Sequence, residues 1–73
     1  MKRYCRVVAH WPIHDTQRFV LYDDDEPLAD ETYVVGHGLE ASERDVQRGS
    51  TSIAMNLAEE HGVVLGTLAM PYR

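Results

Sequence analysis

The sequence predicts an α+β fold, a small two-layer domain whose antiparallel β-sheet, in the order β-β-β-α-β, carries one helix packed on one face. Three observations lead there. Apolar and polar residues alternate with period two over residues 3–11 and again over 17–23, the signature of half-buried strands. Residues 42–62 carry an apolar stripe at spacings of three and four between a start and a stop signal, as a helix does. An aliphatic run over residues 63–70 then follows the helix, ends at Pro71 and supplies a last strand.

In the first strand Cys5, Val7, Ala9 and Trp11 point one way and Tyr4, Arg6, Val8 and His10 the other. Pro12 removes an amide and ends the strand, and the segment PIHDT over residues 12–16 has the Pro and Asp of a hairpin turn. The second strand, residues 17–23, offers Phe19 and Leu21 to the core and Arg18, Val20 and Tyr22 to the opposite face. Residues 23–30 are acidic, contain Pro27 and lack β-branched side chains, so they read as a mobile loop with Leu28 as its one anchor. A third strand is expected over residues 31–39, with Gly36 and Gly38 marking a bulge or a close backbone approach.

The helix is the element around which the rest is arranged. Ser42 and Asp45 form a capping pair at its N-terminus, with Asp45 near the positive end of the dipole. At the other end Gly62 suits the left-handed position after the last turn, and Val63 follows as the hydrophobic residue that closes such a cap. Val46, Ser50, Ile53, Leu57 and His61 fall on one stripe with Gly49 and Ala54 beside it, and Met55 falls opposite. Gly49 followed by Ser50, Thr51 and Ser52 allows two shorter helices, 43–48 and 51–61. One continuous helix is favoured because Val46 stays in register with Ile53 and Leu57. In the last strand Gly66 weakens the middle.

With 73 residues the chain makes one domain, 1–73. A fold of this size buries only about 60% of its unfolded surface, so a second copy that adds buried surface, a homodimer, is an expectation. A hydrophobic fraction of 44% and a charged fraction of 26% are those of a folding globular chain. The net charge of -5 repels phosphate backbones and anionic bilayers, which argues against direct nucleic-acid or membrane binding. Cys5 is the single cysteine, so no intrachain disulfide forms and a cytoplasmic setting is expected. No apolar run is long enough to span a bilayer, and the first residues lack the pattern of a signal peptide.

No motif of known catalytic or binding mechanism is present. His10, His14 and Asp15 are of zinc-ligand type, but Pro12 lies between the histidines and destroys the helical i, i+4 geometry, so turn and surface histidines are the preferred reading and no metal site is assigned. Cys5 falls on the core face, where a thiol behaves as a small hydrophobe rather than a nucleophile. Asp23, Asp24, Asp25 and Glu26 lack the glycine and distal glutamate of a calcium loop. Gly36, His37 and Gly38 before a helix lack the remaining glycines of a phosphate-binding loop. No cofactor is implied and no enzyme is expected; a non-enzymatic binding role is preferred.

Two features point to how such a protein would bind. The sheet face away from the helix carries Tyr4, Val8, Val20 and Tyr22, more apolar than plain surface. The run Asp23, Asp24, Asp25, Glu26, Asp30 and Glu31 offers negative charge to a basic partner. The expected partner-binding residues are therefore these six acids with Tyr4, Val20 and Tyr22. In size, acidity and strand-helix-strand outline the chain resembles the small proteins that bacteriophages encode to inhibit host machinery, among them anti-CRISPR proteins. The resemblance covers the whole chain and rests on no motif. It implies a stoichiometric inhibitor of a protein partner, occluding a basic surface that holds nucleic acid, with the acidic run standing in for phosphates. The element order also resembles the strand-strand-strand-helix unit of antitoxins of the HicB type, without their glycine- and proline-containing signature. That resemblance implies a regulatory module, and a His/Asp metal- or ligand-binding domain is the remaining alternative.

Overall fold

The computed structural model describes residues 3–36 and 42–70. The predicted order of elements is observed: β1 (Tyr4–Ala9), β2 (Thr16–Asp23), β3 (Glu26–Val34), α1 (Glu43–Glu60) and β4 (Val64–Ala69). They form a two-layer α+β domain with α1 on one face of a sheet ordered β3-β2-β1-β4. β2 is antiparallel to both β1 and β3, but β4 runs parallel to β1, so the sheet is mixed rather than wholly antiparallel. The helix is the cause. It carries the chain back along the sheet, so β4 starts from the same end as β3 and therefore as β1.

The acidic stretch is the main departure from expectation. Residues 23–30 are not a loop: Asp23 pairs with Glu26 across a two-residue turn, and β3 is already under way at Glu26. Asp24 holds φ 55°, a left-handed conformation that aspartate tolerates better than most residues. Pro27 is accommodated because β3 is an edge strand and the register slips beside it. Leu21 pairs with Ala29 and Tyr22 with Pro27, leaving Leu28 as the extra residue of a bulge. Leu28 and Ala29 then pack against the core. β3 ends at Val34 and Gly36 lies in a turn, whereas His37, Gly38 and Leu39 of the expected third strand lie outside the described residues.

The first hairpin closes as predicted, Ile13 and Thr16 exchanging backbone hydrogen bonds of 2.9 and 3.0 Å around His14 at φ 57°. α1 is continuous through Gly49. Its Ser42 hydroxyl accepts from the Asp45 amide at 3.2 Å and donates to the Asp45 carboxylate at 2.9 Å. At the other end Gly62 takes φ 70°, its amide donating to Glu59 and the Val63 amide to Ala58, both at 3.0 Å; this is the Schellman pattern. Val46, Ser50, Ala54, Leu57 and Ala58 are the helix's buried residues, Ile53 is half-buried, and His61, expected on the stripe, is exposed at the cap.

Cys5, Val7 and Ala9 of β1, Phe19 and Leu21 of β2, and Ala54 and Leu57 of α1 form the core. Phe19 meets Tyr33 edge to face at 5.7 Å, while Trp11 is only half-buried. Gly66 stands where the β1–β4 register shifts, and a Cβ there would come within 3.2 Å of the Cys5 carbonyl oxygen, so close approach of two backbones explains this glycine. Among the described residues the buried polar pair is Gln17 and Ser50: the Gln17 side-chain amide donates to the Ser50 hydroxyl at 2.7 Å and to the His10 carbonyl at 3.0 Å, tying α1 to β2 and to the end of β1. Among the described residues no helix is long and apolar enough to cross a membrane.

Candidate interaction surface

α1 packs on β4, β1 and β2 from one side. The period of two therefore sends the alternate residues to the other side: Tyr4, Arg6 and Val8 of β1, Arg18, Val20 and Tyr22 of β2, and Asp30, Thr32 and Val34 of β3. Cross-strand register sets them in rows. Val8, Val20 and Asp30 lie abreast, as do Arg6 and Tyr22, and Arg18 faces Thr32. Tyr4 is 76% exposed on this face and Val34 is 79% exposed.

Every arginine of this face is engaged. Arg18 clasps Asp30 with two hydrogen bonds, the Nε bond at 2.8 Å. Through that bond Arg18 holds the Asp30 carboxyl below its ordinary range, and Asp30 raises Arg18 in turn. The Arg6 guanidinium lies 4.6 Å from the centroid of the Tyr22 ring, a cation–π contact. Arg3 pairs with Asp23, whose side chain is largely covered. Val20 sits in the middle of this arrangement, flanked by Val8 and Asp30 in its row and by Arg18 and Tyr22 on its own strand. Only 4% of it is exposed. Val20 is therefore a small second core, not a contact residue, which corrects its place among the expected partner-binding residues.

The six acids do not act as one patch. Asp23 and Asp30 are neutralised by Arg3 and Arg18. Glu31 falls opposite Phe19, on the helix side of the sheet. Asp24, Asp25 and Glu26 remain together at the β2–β3 turn, exposed, and no described cation forms an ion pair with any of them. No protein-family model matches the chain, and comparisons with curated proteins and with solved structures return no match.

The opposite end of the same face is apolar. Ile13 is exposed in the first hairpin turn and Val34 pairs with Thr16 beside it. His10, Trp11, Ile13, Thr16, Arg18 and Thr32 line a shallow cleft of about 230 Å³ there. The eight residues of β2 separate this end from the acidic turn by about 26 Å. Arg6, His10 and Arg18 belong to the face although only its apolar and acidic members were expected to bind. The alternation in the sequence had already placed them there.

The other candidate chemistry is dispersed. Among the described residues no three His, Cys, Asp or Glu side chains come together as a metal site would require, and His14 sits in the hairpin turn apart from His10. Cys5 is buried on the helix side of β1. His37 lies outside the described residues.

Proposed function

We propose that this protein binds and inhibits or modulates a protein partner, without catalysis, through the open sheet face and its acidic corner. The observation that carries the reading is the polarity of that face. Tyr4, Val34 and Ile13 expose apolar surface over a face whose arginines are already satisfied, and Asp24, Asp25 and Glu26 project as a compact negative tip at one end. A basic partner surface would meet the tip by charge and the remainder by shape and apolar contact. In keeping with its resemblance to small phage-encoded inhibitors, the surface so occluded is one that otherwise holds nucleic acid, and the setting is cytoplasmic. The carboxylates available to mimic phosphates are then the three at the tip rather than the whole acidic run. The order of three strands before the helix favours, as a second reading, an antitoxin-like regulator using the same face.

The test is capture of partners from the native host with the tagged wild-type chain, followed by affinity measurements across a range of salt concentrations. Asp24→Asn, Asp25→Asn and Glu26→Gln combined should weaken binding about tenfold and flatten its salt dependence. The melting temperature should stay unchanged, since these side chains make no ion pair with any described residue. Unaltered affinity and salt response in the triple variant would remove the electrostatic basis of the proposal.

A further inference from the structure

We infer that β4 is the contact strand of a weak, two-fold symmetric homodimer, a surface distinct from the open face and independent of the function proposed for it. β4 is an outer strand of the sheet, so the backbone groups along its outer side have no ladder partner among the described residues. Its sequence, VLGTLA, contains no charge and no proline, so of the devices that keep an edge from pairing it has only its shortness and the register shift at Gly66. The surface beside it is apolar at the Val64 end and mixed at the Leu68 end. Between α1 and β4 lie one groove of about 410 Å³ lined by Met55, Glu59, Val63, Val64 and Leu65 and another of about 220 Å³ lined by Gln47, Thr51, Leu68 and Met70.

Charge selects the occupant. On a chain of net charge -5 most approaches of two copies bring carboxylates together, whereas β4 offers an uncharged strip. Antiparallel pairing of β4 with itself about Gly66 and Thr67 sets Val64 of one copy against Ala69 of the other and joins two four-stranded sheets into one. Because α1 lies over β4 and β1, the same axis brings the two helices side by side on one face of the joined sheet. The helices are then antiparallel. The grooves set the levels: Met55 and Glu59 lie beside Val64 and Leu65, and Gln47 and Thr51 beside Leu68 and Met70. The axis thus passes the helix about midway between them, and Glu59 of one copy comes level with Arg48 of the other, twice over by symmetry. Both residues are exposed in the single chain.

The strip is small. A six-residue strand about 20 Å long, with a flank as deep as the 18 Å width of the molecule, covers on the order of 400 Å² per copy, against about 800 Å² in a standard interface. The dimer is therefore expected to dissociate in the micromolar range rather than to be permanent.

Sedimentation equilibrium over protein concentrations up to about 1 mM tests this. The wild-type mass should rise from that of one 8.3 kDa chain toward twice that value. Glu59→Arg alone and Arg48→Glu alone should each raise the dissociation constant about tenfold, and the two combined should restore it, because the swap re-forms both pairs. A chain that stays monomeric throughout, as it would if β4 instead awaited a foreign strand, overturns the inference. So does a dimer indifferent to the single substitutions, which would place the contact elsewhere.

Discussion

Ser50→Ala probes a buried polar link between the two layers. Gln17 and Ser50 are both fully buried, and the Gln17 amide nitrogen divides its two protons between the Ser50 hydroxyl and the His10 carbonyl. Removing the hydroxyl leaves one amide proton in the core without that acceptor, which costs about 1–3 kcal/mol. Alanine recovers roughly 0.5 kcal/mol of helix propensity. The net loss should be about 1–2 kcal/mol, which in a domain of this size lowers the melting temperature by roughly 5–15 °C. Urea and thermal unfolding followed by circular dichroism measure it directly. Gln17→Met combined with Ser50→Ala removes donor and acceptor together, so the double variant should be more stable than the sum of the two single losses. If Ser50→Ala were as stable as the wild type, the hydrogen bond would contribute nothing, and the docking of α1 on β2 would rest on apolar contact alone.

Gly62→Ala should cost about 1 kcal/mol, because alanine at φ 70° carries the left-handed penalty that glycine avoids; chemical denaturation checks it, and an unchanged midpoint would contradict the cap as described. Tyr33 is raised above its ordinary 10.0, first by burial and then by Glu60 and Glu31. Its folded-state value thus lies above the unfolded one, and its contribution is intact below pH 10 and lost as pH rises past that point, where the unfolded chain ionises first. Tyr33→Phe should therefore show a smaller loss of stability than the wild type on going from neutral to strongly alkaline pH, read from melting temperatures across that range.

Much of the architecture was legible in the residues themselves. Alternation identified the core faces of β1 and β2, and both ends of α1 were marked by side chains that the cap geometry uses, Ser42 with Asp45 and Gly62 with Val63. What could not be read locally depended on neighbours distant in sequence. Asp24, Asp25 and Pro27 have poor strand propensity, yet the turn needs only two residues and the proline falls on an outer strand beside a bulge. Pairing with β2 therefore overrode composition and extended β3 through the acidic run. Val20 looked like a surface residue because its strand alternates. It is covered by side chains from three strands, including an Arg18–Asp30 clasp that spans twelve positions of sequence. The direction of β4 was equally hidden, since periodicity is the same for parallel and antiparallel strands and only the path of the crossover decides between them. The candidate surface followed this division. Its membership was present in the alternation, but which charges remain unpaired depended on cross-strand geometry.

The parallel pairing of β1 with β4 joins Tyr4 to Val64, residues sixty apart along the chain. The two hairpins need only neighbouring segments and can close while the ribosome is still adding α1, but one flank of β1 has to wait until β4 has been made. During that wait the nascent meander has its oily side, with Val7 and Phe19, unsheltered by the helix. Productive folding is thus a contest between a long loop closing and strangers arriving, and a change that merely delays β4 would surface as aggregation during synthesis before it registered in any equilibrium measurement.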